Sequence, residues 1–396
     1  MGAPRYECAP VLSSAASICR AFIRLLVIFP LACAVRSNPG GAPWIIPPLD
    51  GSFSAEVTPL ILPGAPAVRV ELTARTIAPG LREIVFTVQA EGLSVEGDAR
   101  LDAGAEGSWR VTKGTVDLAA WSGPAISRFA PAAAGSVGGQ LRFTAAGSLR
   151  GGMVGGGAEL TLEGGSYENP VKKLSIKGLA AKVQLVDLRA IRSEPAQVLT
   201  WEGGSFDSLS IGAGRVQFRL QDDAVHIEEA RVAVLGGEIS VARASVAVNA
   251  ASYALAAQMR GAQLAELLPL LPPLLASARG QLDGRIALRS DAEGIRIESG
   301  HLALRTGETA ELRFLPTPGV ISGQLPPMVR QYYPGLLQLE TGGIPLRAER
   351  LEVVVNAAGD EVGRTAVVSL AGGPADPTVR APVVLDVNVR GPLDQV

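Results

Sequence analysis

From residue 51 onward, apolar and polar residues exchange at every second position in short runs. In residues 68–74 (VRVELTA), Val68, Val70 and Leu72 fall in one phase and Arg69, Glu71 and Thr73 in the other. Ile84, Phe86 and Val88 alternate with Val85, Thr87 and Gln89. Val216, Phe218 and Leu220 alternate with Gln217 and Arg219, and Leu282, Ile286 and Leu288 alternate with Asp283, Arg285 and Arg289. Ile295 and Ile297 alternate with Arg296 and Glu298, and near the end Val383, Leu385, Val387 and Val389 alternate with Asp386, Asn388 and Arg390. Successive side chains on a strand point to opposite faces, so each run predicts a strand with one apolar and one polar face. Gly, Pro, Asp or Asn separates one run from the next, which predicts short turns and an antiparallel meander.

Two stretches break the alternation. Residues 264–276 (LAELLPLLPPLLA) are apolar with three prolines and predict a helical turn or two followed by a kinked segment. Residues 326–339 (PPMVRQYYPGLLQL) predict a short helix and a turn, interrupted at Pro334 and Gly335. Either could cap an open end of a sheet. The Gly-rich run 151–157 (GGMVGGG) reads as a flexible linker, and a soft boundary falls near residue 165 where glycine thins out.

The first residues read differently. Arg20 and Arg24 precede an apolar stretch from Leu25 to Val35, too short to span a bilayer. It reads as a signal or anchor segment over residues 1–36; Leu31-Ala32-Cys33 also resembles a lipoprotein cleavage site with Pro30 where Leu is expected. Residues 37–50 (SNPGGAPWIIPPLD) read as a linker. The organisation is therefore segment 1–36, linker 37–50, a β region 51–165 and a second β region 166–396.

Composition sharpens this picture. Of 396 residues, 47% are hydrophobic and only 19% charged, with a mean hydropathy of +0.26. A disordered chain would be polar and charge-rich. The apolar content is high for a soluble protein, yet no long spanning segment accounts for it. The net charge is −2 and no cluster of Lys and Arg with interleaved aromatics occurs, which argues against a nucleic-acid partner. The three cysteines, Cys8, Cys19 and Cys33, all precede the β regions, so these need neither disulfides nor thiol chemistry.

Candidate chemistry is sparse. The two histidines, His226 and His301, are far apart in sequence and sit in the polar phase of their runs, which makes no metal signature. No G-x-S-x-G elbow occurs, and the Gly-rich run lacks the Lys of a phosphate loop. Asp222-Asp223 and Glu228-Glu229 are sequence neighbours, so on a strand they would diverge rather than cooperate as an acid–base pair. These features predict neither an enzyme nor a bound cofactor or metal.

Four stretches, taken in order, resemble the C-terminal part of the YdbH branch of the AsmA-like envelope proteins: residues 178–206 (GLAAKVQLVDLRAIRSEPAQVLTWEGGSF), 225–241 (VHIEEARVAVLGGEISV), 280–308 (GQLDGRIALRSDAEGIRIESGHLALRTGE) and 383–396 (VVLDVNVRGPLDQV). Each alone is a strand–turn–strand pattern; the order and spacing carry the resemblance. It implies a mainly β fold, a long antiparallel meander curled into a U-shaped open groove with short helical segments, apolar within and polar outside. It implies a non-enzymatic protein of the periplasm or cell envelope, associated with the inner membrane, that moves phospholipid between inner and outer membranes. Against that pattern this chain is short and lacks a clean membrane-spanning helix.

The resemblance and the composition agree, because a trough for acyl chains needs apolar side chains that no protein core covers. Shielding an acyl chain is worth about 0.8 kcal/mol per methylene, and such a path needs no specific polar group. Alternation nominates Val216, Phe218, Leu220, Ile286, Leu288, Ile295, Ile297, Leu302 and Leu304 as lipid-groove residues. The resemblance further implies a small outer-membrane lipoprotein as partner, added to an exposed strand edge by β-augmentation, for which Val383, Leu385, Val387 and Val389 mark the candidate strand. The competing expectation is a non-catalytic structural or interaction scaffold of the periplasm, its apolar faces closed against another sheet.

Overall fold

The computed structural model describes residues 50–390 apart from 58–65, 122–134, 171–172, 207–208, 223, 248–252, 271–273, 292–293, 320–321, 357, 360–362 and 380. The expected signal or anchor segment 1–36 and all of the linker but Asp50 lie outside the described residues. The described chain is mainly β: 22 strands assigned to one antiparallel sheet. They are β1 (Gly51–Val57), β2 (Val68–Ala78), β3 (Leu81–Ala90), β4 (Leu93–Asp102), β5 (Gly107–Asp117), β6 (Ser136–Arg150), β7 (Met153–Asn169), β8 (Leu174–Asp187), β9 (Arg192–Ser193), β10 (Gln197–Trp201), β11 (Gly203–Phe206) and β12 (Leu209–Gln221). There follow β13 (Ala224–Val234), β14 (Gly237–Ala247), β15 (Tyr253–Gln263), β16 (Leu275–Arg279), β17 (Gln281–Asp291), β18 (Gly294–Leu304), β19 (Ala310–Phe314), β20 (Leu346–Asn356), β21 (Arg364–Pro374) and β22 (Val383–Arg390). The alternating runs of the sequence all fall within strands.

The strands divide into two compact units. Unit 1 is built on β1 to β12 and unit 2 on β15 to β22, with Arg231–Ala242 counted to unit 2. Unit 1 is a plain meander from β1 to β8, each strand pairing with the next. Strand β8 then pairs with both β10 and β11, and these pair with β12. Residue 165 lies inside β7.

The glycine-rich run does not form a linker. Gly151 and Gly152 are the two central residues of a turn, with φ of 54° and 72°, and the flanking Arg150 and Met153 are cross-strand partners. Positive φ at both central residues is the hairpin turn whose twist matches the strands. Gly155, Gly156 and Gly157 continue as part of β7. Gly156 faces Gly147 of β6, and a β-carbon on Gly156 would stand 2.2 Å from the Ala146 carbonyl oxygen. The run reads as a linker in sequence because glycine is poor in strands; here it lets two strands approach where side chains would collide.

Elsewhere in unit 1 glycine makes room for aromatic rings. Gly97 faces Phe86 and Gly114 faces Phe143 across the ladder. A β-carbon would come 2.4 Å from Phe86 Cζ at Gly97 and 2.3 Å from Phe143 Cζ at Gly114. Each ring lies over a bare strand and covers backbone that glycine leaves open. Trp201 does the same over Gly214 and donates its indole N–H to the Gly212 carbonyl at 3.1 Å.

Unit 2 pairs β14 with β15, β15 with β17, β18 with β20, and β20 with β21 and β22 in turn. Strand β16 pairs with β19, which pairs with β20. The two expected breaks in the alternation are helical. Helix α1 (Leu264–Leu267) runs into a 3-10 turn at Leu268–Leu270, and helices α2 (Pro327–Tyr332) and α3 (Gly335–Glu340) follow β19. Leu264, Ala278, Leu282, Leu312, Phe314, Leu336, Leu339 and Leu346 are buried and form a core at this end of the unit. Glu340 is 0% exposed. Its carboxylate accepts the Gly319 N–H and the Ser322 hydroxyl, both at 2.9 Å, and the Ser322 N–H as well, tying the preceding loop to α3.

Candidate functional site

Cross-strand registers turn the alternation into continuous rows. In unit 1, Leu93, Val116, Leu141, Leu162, Ala181, Leu199 and Val216 are successive partners across β4, β5, β6, β7, β8, β10 and β12. A neighbouring row runs Ala55, Val70, Val88, Val95, Gly114, Phe143, Leu160 and Val183. Most of these side chains are buried: Val70, Val88, Val95, Val116, Phe143 and Leu160 all belong to the core.

Unit 2 carries a comparable row with a different exposure. Ile239 faces Met259, Met259 faces Gly284, and a β-carbon on Gly284 would stand 2.8 Å from Leu302 Cδ2. Leu302 faces Val353, Val353 faces Val368, and Val368 faces Val387. One apolar row therefore crosses seven strands, β14, β15, β17, β18, β20, β21 and β22. Met259 is buried, Leu302, Val353 and Val368 are half-buried, and Val387 is 38% exposed. A parallel row pairs Leu351, Leu370 and Leu385. Ile286 and Leu288 lie in the same phase, facing Ala257 and Leu255. Ile239, Met259, Val353 and Val368 were not among the residues nominated from sequence. For Val353 the signal is the continued alternation in LEVVVN (351–356), but its three consecutive valines read as an unbroken apolar run.

The opposite phase is ionic. Glu83 of β3 faces Arg75 of β2 and Arg100 of β4. Arg75 donates to it from Nε at 2.7 Å, and Arg100 from Nη2 at 3.2 Å. Hydrogen bonds from Arg75, then Arg100, hold the Glu83 carboxyl below its ordinary range. Arg110 pairs with Asp98 at 2.9 Å and Lys182 with Glu159 at 2.6 Å. A hollow of about 530 Å³ lies over this phase, its polar lining from Arg110, Thr112, Thr144, Glu159 and Gln184. In unit 2, Arg305 donates from Nε and Nη2 to Asp283, both at 3.1 Å, and the same carboxylate accepts the Gly261 N–H at 2.6 Å. Gly261 sits at an irregularity of β15, where the pairing to β17 shifts register between Met259 and Ala262. The Arg305 bonds hold the Asp283 carboxyl low. Sequence reasoning passed over this clamp, because its partners lie on β15, on β17 and just past the end of β18.

The nominated residues divide by exposure. Val216 and Leu220 are only 7% and 8% exposed. Phe218, Ile286, Leu288, Leu302 and Leu304 are half-buried, and Ile297 is exposed. The side chains of Ile295 and Val389 lie outside the described residues. In β22, Val383 is buried and Leu385 half-buried, and among the described pairings β22 has one neighbour, β21. His226 is half-buried in β13 and His301 exposed in β18. Among the described residues no group of three His, Cys, Asp or Glu side chains is placed to hold a metal ion, and no helix is long and apolar enough to cross a membrane.

A family model described as "YdbH-like: Intermembrane phospholipid transport protein YdbH" matches residues 51–320, more than half of the 396 residues. No curated protein and no solved structure matches the chain.

Proposed function

Because the chain belongs to the YdbH-like family, whose members are intermembrane phospholipid transport proteins of the cell envelope, we propose that it holds phospholipid acyl chains along the apolar phase of its sheet, between inner and outer membranes. The observation that carries this reading is the unit 2 row from Met259 to Val387. Its central side chains stay partly open to the surroundings, while the opposite phase mixes the charges of Arg285, Glu352 and Asp386 with exposed Val354 and Val384. Apolar surface left half-covered on one side of a ladder is costly in water and is relieved by a hydrocarbon occupant.

The lipid-contacting residues under this reading are Ile286, Leu288, Leu302 and Leu304, joined by Val353, Val368 and Leu385. In unit 1, Phe218 contributes the accessible contact, while Val216 and Leu220 form the floor beneath it. On β18, Ile297 shares the phase of Ser299 and His301, opposite Leu302 and Leu304, so the path along β18 runs through Leu302 and Leu304 rather than through Ile295 and Ile297. The partly covered row needs no polar residue at a fixed place, so acyl chains of different length and saturation are accepted alike.

The edge of β22 away from β21 is the proposed docking strand for a small outer-membrane lipoprotein. Added strands bind through backbone N–H and C=O groups, so the burial of Val383 on one face does not compete with pairing at the edge.

A closed scaffold is the second reading, and the burial of Val95, Val116 and Phe143 favours it for unit 1. Photo-crosslinking separates the two. Benzoylphenylalanine placed at Leu302 should capture phospholipid in cells, while the same group at Arg285, in the polar phase, should not. Equal capture at both positions, or none at either, would remove the groove.

A further inference from the structure

Building on the lipid-handling reading above, we propose that helices α2 and α3 form the surface by which unit 2 docks on a phospholipid bilayer. Met328 and Tyr332 stand four positions apart, on one face of α2, and are 72% and 76% exposed. In α3, Leu336 and Leu339 point into the core while Leu337 points out and is 54% exposed. Outward positions of a helix in water normally carry charge. Here the only charged residues from Ser322 to Glu340 are Arg330 and Glu340, and Glu340 is enclosed at 0% exposure. What helices α2 and α3 offer their surroundings is Met328, Leu337, Tyr332 and the single positive charge of Arg330, with the uncharged Gln331 and Gln338 between them.

That combination fits a lipid surface. Tyrosine settles at the headgroup level, with its ring toward the chains and its hydroxyl toward water. Met and Leu enter the acyl boundary, and a guanidinium meets lipid phosphate. The frame beneath is firmly held. Glu340 ties Gly319 and Ser322 to α3, and Arg330 Nε donates to the Leu325 carbonyl at 3.1 Å at the start of α2. The exposed side chains therefore sit on helices that these bonds join to the core of unit 2.

The test is flotation of the full chain with vesicles of phosphatidylethanolamine and phosphatidylglycerol. Phospholipid carried per chain is measured by mass spectrometry on the same preparations. A variant combining Met328→Ser, Tyr332→Ser and Leu337→Ser changes only exposed positions, so folding should persist. Vesicle binding should fall on the order of tenfold or more, with carried phospholipid unchanged. Unaltered flotation would overturn the docking surface and leave the lipid-handling reading standing. A wild-type dimer that becomes monomeric in the variant would also overturn it, assigning the patch to a second copy of the chain. A wild-type chain that carries no lipid, yet floats and loses flotation in the variant, would support the docking surface and remove the lipid-carrying reading.

Discussion

Leu302 lies across Gly284, its Cδ2 2.8 Å from where a Gly284 β-carbon would stand. The glycine lets the leucine lean over the neighbouring strand, joining the row from Met259 to that from Val353. Any side chain at Gly284 would also meet the His301 carbonyl oxygen at 2.1 Å. Gly284→Val should therefore destabilise unit 2 by about 1–3 kcal/mol, as overpacking does. The check is a lower denaturant midpoint at constant slope. An unchanged midpoint would show that this contact does not constrain the ladder.

The clamp of Arg305 on Asp283 gives a signed pH prediction. Asp283 is held below its ordinary range, first by Arg305 and also by the Gly261 N–H. A carboxyl with a lowered folded value stabilises above its unfolded value, about 3.9 for Asp, and loses that contribution as pH falls through the folded value. Asp283→Asn should melt below wild type at neutral pH, and the gap should narrow as pH drops below about 4. Melting curves across that range decide it; a gap that widens in acid would contradict the assignment. Side chains this exposed make the effect modest.

Enclosed Glu340 accepts hydrogen bonds from Gly319 and Ser322. Glu340→Gln would turn an N–H₂ toward one of these donors, at a cost of about 1–3 kcal/mol. Hydrogen exchange should quicken at Gly319 and Ser322 before it does in β20 or β21. Uniform exchange across these segments would mean the tie is not local.

Deleting residues 383–396 removes β22 and the chain beyond it. Under the edge-strand reading, capture of the small lipoprotein partner should fall to background while β1 to β12 keep their protection from exchange. Undiminished capture would move the partner to another surface.

How much of this was legible beforehand follows from what alternation can and cannot report. The strands at Val68, Ile84, Val216 and Val383 were readable because period two is local, and the helical breaks at Pro269 and Pro334 because proline ends regular runs. Alternation names the apolar face but not what lies over it. Val216 and Leu302 look alike in sequence, yet one is buried and the other half-open. Gly155–Gly157 read as a linker because the reason for glycine there is the backbone of β6, which sequence does not display. Asp283 and Arg305 are far apart along the chain, and the backbone bond from the Arg305 N–H to the Gln281 carbonyl brings the guanidinium beside that carboxylate.

The most direct test of the central claim is mass spectrometry of lipid that co-purifies with the chain expressed in a Gram-negative periplasm. It compares wild type with Leu302→Asp, Phe218→Asp and, in the polar phase, Arg219→Asp. The account predicts stoichiometric phospholipid on wild type and on Arg219→Asp, and its loss on Leu302→Asp and Phe218→Asp with the β fold retained. A folded wild-type chain free of phospholipid, or equal lipid on all four proteins, would contradict it.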